Sequence, residues 1–395
     1  MMGLLSRFGM RRQEESASPP AGGEEDARVA ELAESFESGD IMTRWRTVRA
    51  FGEFGEAAVP SLAKALEDED WCVRWAAAEA LGRIGPAAVP HLIGLLSHAD
   101  DTVREDASRA LRLIGSPAVE ALEQAAHDGD GRIRCAALAA LEATGSGHAA
   151  DLFLAALGDV DPQVRRCAIA GVRRSRDGRG VGSLVGLLGD PDEQVRSLAA
   201  DALANFGEGA VSPCIEAFGR DDDDVRRRSA VVLTRIGLRA AGPLAAALRD
   251  ERQAVRRWAA WVLGEIRSHD AIEPLIETLG DPDREVRRYA AGALAGIGAP
   301  AVGPLVRALG NDDEAARHRV MEALWRVGEA ATPALIDLAG AEDAGTRCRS
   351  AFILGGIGSA GASGALQALL QDPDRDVRRG AFEALEAIKT YEGLD

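Results

Sequence analysis

Four apolar residues follow Arg287 at +3, +4, +7 and +10: Ala290, Ala291, Leu294 and Ile297. After Arg256 the same phase gives Ala259, Ala260, Leu263 and Ile266. That spacing traces one face of an α-helix. The arginine recurs at 44, 74, 104, 134, 165, 196, 226, 256, 287, 317, 347 and 378, in steps of 30 or 31 residues, so the chain holds twelve such units. Four places before it stands an aspartate in eleven units, with Arg252 the one exception. This aspartate is expected to cap the helix by accepting from its first-turn N–H groups. Eleven places after the arginine stands a glycine in nine units, from Gly55 to Gly358, expected to end the helix in a left-handed conformation.

A second apolar stripe precedes each of these helices. The strings AVPSLAKAL (58–66), AVPHLIGLL (88–96), AIEPLIETL (271–279) and AVGPLVRAL (301–309) read as helices with proline tolerated in the first turn. Acidic turns such as GDPDEQ and GDPDRE join the two. Each unit is thus a helical hairpin that cannot bury its apolar face alone, whereas a stack of twelve can. The pattern predicts a repeat domain over 25–390, a polar tail over 1–24 with a short basic and apolar start, and a C-terminal tail over 391–395.

Composition agrees with close-packed helices. Aromatics are 4 %, glycines number 44, and the net charge is −17 with a pI near 4.9. Two of the 46 basic residues are lysines, Lys64 and Lys389; the rest are arginines. Such a bias fits a GC-rich genome or a salt-accumulating host. Overall acidity argues against a whole-surface nucleic-acid binder. The five cysteines, odd in number and without a C-x-x-C pair, make a poor disulfide framework and a poor zinc site, which places the chain in a reducing cytoplasm. No apolar run nears the roughly 18 residues of a membrane span.

Strings such as DPDREVRRYAAGALAGIG (281–298) resemble the HEAT repeat, in particular its short phycobilisome-lyase HEAT-like form, and the resemblance covers about residues 25 to 390. It implies an all-α protein, a right-handed α-solenoid whose second helices line a concave face. One enzyme of this class, deoxyhypusine hydroxylase, holds iron with His-Glu pairs. None of the six histidines here (His91, His98, His127, His148, His269, His318) is followed by glutamate. No catalytic constellation, metal site or cofactor is expected. Cys135 and Cys167, at inward slots of neighbouring units, read as small side chains filling tight space.

Slots +1, +2, +5 and +9 from each register arginine point away from the core stripe. They carry fifteen arginines against eight carboxylates, an excess opposite in sign to the chain as a whole. Trp45, Trp75, Trp258, Trp261, Tyr289 and Phe352 fall there too. Arg257, Trp258 and Trp261 are expected to meet Arg288 and Tyr289 on the next helix, flanked by Arg227, Arg228, Arg319 and Arg326. Exposed Trp and Tyr beside Arg is the composition of a binding hot spot. The plainer account has the arginines pairing with acidic turns and the tryptophans filling space between alanine-rich helices. The aligned aspartates and arginines, such as Asp222 with Arg226 and Asp283 with Arg287, read as a structural ladder. A non-catalytic scaffold binding a protein partner or acidic peptide is the first functional expectation. The alternatives are nucleic-acid binding or repair, and a phycobilin-lyase-like role.

Overall fold

In the computed structural model, residues 22–144, 149–310 and 313–392 are described. The segment 1–21, which holds most of the expected tail, lies outside them. The first helix, Gly22–Ser38, begins within the stretch read as tail, and the last, Arg375–Glu392, runs into the stretch read as the C-terminal one.

The described chain is all helix, a solenoid of stacked hairpins. Contacts divide it into two units, residues 1–152 and 153–395. In the first, the helices Ile41–Phe51, Trp71–Ile84, Asp101–Ile114 and Gly131–Thr144 pack each on the next. In the second, the row runs Pro162–Ser175, Glu193–Phe206, Asp223–Ile236, Gln253–Glu265, Arg284–Ile297, Glu314–Val327, Ala344–Ile357 and Arg375–Glu392. The shorter first helices, such as Val59–Ala65 and Ile272–Thr278, form the other layer. Between the layers lie the leucines of the repeat, among them Leu81, Leu203, Leu263 and Leu294, all fully buried.

The aspartate column does what its position requires. Asp70 accepts from the Cys72 N–H at 2.9 Å, Asp192 from Val195 at 2.8 Å and Asp283 from Val286 at 2.9 Å. Arg252, the exception, makes no side-chain cap. Backbone N–H donation from Thr102 and Val286 holds the Asp100 and Asp283 carboxyls below the usual range, and the Thr346 hydroxyl does so for Asp343. A folded pKa below the unfolded one adds stability that is complete above the unfolded value and lost as pH falls through the folded value. The urea midpoint, followed by circular dichroism, is therefore expected to fall once pH drops below about 4. A midpoint that stayed level through that range would show the caps to be dispensable.

The glycine column departs from the expected geometry. Gly85, Gly237, Gly298 and Gly328 have φ between 72° and 84° with ψ near −134° to −143°, whereas Gly358 (75°, 22°) is left-handed helical. The former region is closed to any residue with a Cβ. At Gly85, Gly237 and Gly328 it leads straight into a 3₁₀ turn, so the helix after Gly85 starts at Val89 rather than at Ala88 as the pattern predicted, whereas the helix Ala299–Ala308 follows Gly298 directly.

Among the cysteines, Cys72, Cys214 and Cys348 are free thiols. The stretch Asp223–Ala247 has the length and hydropathy of a membrane span. It is broken at Gly237 (φ 74°), and its Val225, Val232, Leu233 and Leu244 are buried in the hairpin core.

Candidate functional site

The register arginines organise the turns by a route the sequence did not reveal. Each was expected to pair with the aspartate four places before it. Instead Asp222 and Asp283 spend their carboxylates on N-capping. Arg287 donates through Nη1 to the carbonyl oxygens of Asp281 (2.7 Å) and Pro282 (2.9 Å). Arg226 bonds Asp223 and Asp221. The anionic rung is a different aspartate, two places ahead of the cap. Asp281 receives Arg256 of the preceding repeat at 2.7 and 3.1 Å, and Asp190 receives Arg165 at 2.7 Å. Asp372 receives Arg347 at 2.7 and 2.9 Å, and this donation holds the Asp372 carboxyl below its usual range. At Arg165, Arg256 and Arg347 the ladder therefore ties repeat to repeat, whereas Arg226 stays within its own turn.

On the exposed side of the second row, the expected aromatic cluster forms. Trp258 and Trp261 meet edge to face with ring centroids 5.7 Å apart. Arg257 lies over Trp258 at 6.0 Å and Arg288 over Tyr289 at 5.0 Å. Trp258 also stacks on buried Phe218 at 6.0 Å, so its indole is packed in part against the core. The space-filling account thus holds in part for Trp258, and Trp261, packed on it, is likewise only partly exposed.

Trp261, Glu265, Arg288, Tyr289, Gly292 and Arg326 converge on a depression of about 440 Å³ between the helices Gln253–Glu265, Arg284–Ile297 and Glu314–Val327. Its base is made by a close helix crossing: a Cβ on Gly264 would stand 2.7 Å from the Ala293 Cα. Arg227, Arg228, Arg257, Trp258 and Arg319 do not line it. The arginines also divide by partner. Arg227 is paired with Asp224, Arg288 with Glu285 and Arg326 with Glu322. Among the described residues, no hydrogen-bond acceptor or carboxylate engages Arg228, Arg257 or Arg319.

Phe352 belongs to a second pairing, with Trp325 at 5.2 Å, and to a depression of about 380 Å³ that also exposes Cys348 and His318. Burial pushes the Cys348 thiol up, away from nucleophilic use. Trp325 was missed because it sits at +8, outside the four slots; its indole lies where a Cβ on Gly356 would fall. Trp45, under Arg49 at 5.0 Å, and exposed Trp75 belong to the first unit.

The sequence profile described as HEAT repeats matches at residues 29–112, 89–159, 150–234, 211–283, 240–325, 272–347 and 332–395. No curated protein sequence matches the chain. Among solved structures, an engineered protein is 23 % identical over 91 % of this chain and 98 % of its own, with a TM-score of 0.29. Kap121p is 14 % identical over 95 % of this chain and 50 % of its own, with a TM-score of 0.42. Importin beta is 14 % identical over 92 % and 63 %, at 0.37. The chain thus spans about half the length of Kap121p.

Proposed function

The chain belongs to the HEAT-repeat family, and from that premise we propose that it is a non-catalytic scaffold holding an acidic protein segment along its second row of helices. One observation carries this reading. Trp261 and Tyr289 share a depression with Arg288 and Arg326, while Arg228, Arg257 and Arg319 nearby have no carboxylate partner. Aromatic anchors bounded by guanidiniums suit a segment that brings both apolar side chains and carboxylates. A rigid hairpin stack supplies the long surface on which such a segment lies extended.

The test is affinity capture from the native host with wild type and Trp261→Ala, identified by mass spectrometry. Trp261 is half-exposed at the surface of its helix, so the variant is expected to keep its helicity and lose the specific partner. Equal capture by both would remove the row from consideration. Arginine beside tryptophan also suits single-stranded nucleic acid. The chain's charge of −17 opposes a polyanion at a distance. No retardation of a single-stranded oligonucleotide is therefore expected at about 50 mM salt.

A further inference from the structure

Arg267 stands where the repeat elsewhere places glycine. The equivalent residues Gly237, Gly298 and Gly328 have φ of 74°, 79° and 72°, and Arg267 keeps a positive φ of 50°. Its turn is complete without the side chain. The Arg267 N–H donates to the Gly264 carbonyl at 3.1 Å and the Ser268 N–H to that of Leu263 at 3.2 Å, the two bonds that close a helix C-terminus in this conformation. A Cβ in the left-handed region is a steric penalty that glycine avoids. The guanidinium has no hydrogen-bond or ion-pair partner among the described residues, yet it lines the Trp261 depression. Backbone strain kept without a structural return is a mark of function. Among the described residues, the other non-glycine residue with positive φ, Arg176 (φ 52°), lines a depression as well, beside Arg173.

The depression itself is selective in shape and charge. Trp261 and Tyr289 form apolar walls, and Gly292, where a Cβ would meet nothing within 4 Å, leaves the floor open. Arg267, Arg288 and Arg326 stand around it against one acid, Glu265. The Arg288–Glu285 and Arg326–Glu322 pairs are solvent-exposed and weak enough to exchange for an incoming carboxylate.

We infer that this depression is the anchor pocket of the scaffold, taking one aromatic side chain of an acidic protein segment while Arg267 grips a neighbouring carboxylate. The inference rests on the scaffold reading and names the residue chemistry that reading leaves open. Glu265 on the rim favours singly charged carboxylates over phosphate.

The probe is the tripeptide acetyl-Glu-Phe-Glu-amide, titrated against the full chain by intrinsic tryptophan fluorescence, with acetyl-Glu-Ala-Glu-amide and acetyl-Gln-Phe-Gln-amide as comparators. Saturable binding is expected for the first and about tenfold weaker binding for each comparator. Arg267→Gly is expected to weaken the first by about tenfold while its urea midpoint stays at or above that of wild type, since glycine suits the turn. Gly292→Leu, which meets no clash at its Cβ, should block the floor. Unchanged affinity in Arg267→Gly, equal binding of all three peptides, or displacement by inorganic phosphate at comparable concentration would each overturn the assignment. If the peptides fail while Trp261→Ala still loses the captured partner, the pocket falls and the scaffold reading stands. If the peptides bind as expected and capture is unchanged, the scaffold reading is what fails.

Discussion

Asp281→Ala is expected to lower the stability of the 153–395 unit by about 3 kcal/mol, the cost of stranding one member of a buried ion pair. Arg256 and Asp281 are 13 % and 7 % exposed, and the carboxylate takes two guanidinium bonds, at 2.7 and 3.1 Å. It also accepts the Asp283 N–H at 2.8 Å, which sets the cap of the next helix. Its own carbonyl receives Arg287 at 2.7 Å. One residue thus joins two repeats and prepares the terminus of the second. The Arg256 guanidinium keeps its bonds to the Asp250 and Glu251 carbonyls at 2.8 and 2.9 Å, so in the variant it stays in place without its counterion. Asp281→Asn, which retains one acceptor oxygen but not the charge, should cost less. Adding Arg256→Leu to Asp281→Ala should recover part of the loss, because a buried pair replaced whole costs less than one broken. Urea denaturation of the four proteins gives the comparison, and hydrogen exchange in Gln253–Glu265 and Arg284–Ile297 locates it. A single variant within about 0.5 kcal/mol of wild type would mean that the rung carries no load.

The period of the chain made the helices, the caps and the core readable, because each depends on positions at fixed spacing within one repeat. The Asp column, Leu81 or Leu294 at +7, and the glycines all act locally. What escaped is what crosses between repeats. Asp281 and its equivalents Asp190 and Asp372 read only as members of acidic turns, since their arginine partners stand 25 places earlier. Trp325 was hidden by the same cause: it meets Phe352 of the next repeat from a slot that faces sideways. The Arg267 signal was present as a gap in the glycine column. It reads as a gap in pattern alone, and as a retained cost only when φ is known to be positive.

Phe218 joins that core to the candidate site, and Phe218→Ala is the second large effect expected, at about 3–5 kcal/mol. Its ring is fully buried, at a register position that Leu66, Leu96, Leu248, Leu279 and Leu309 fill in other repeats, all at 4 % exposure or less. Phenylalanine replaces leucine here beside Trp258, whose indole lies nearly parallel to it, with 22° between the planes. Trp258 in turn meets Trp261 at 83°, and Trp261 walls the depression. Truncation to alanine removes the support of Trp258 along with the core volume. Phe218→Leu separates the two: leucine already suits this position in other repeats, so about 1 kcal/mol is expected in stability. Binding at the depression should still weaken, since Trp258 can then tilt into the vacated space and draw Trp261 with it. Denaturation measures the first effect, and tripeptide titration of the folded leucine variant measures the second. Full affinity in that variant would show that Trp261 is held by its own helix alone, and that the Phe218–Trp258 stack serves only the core.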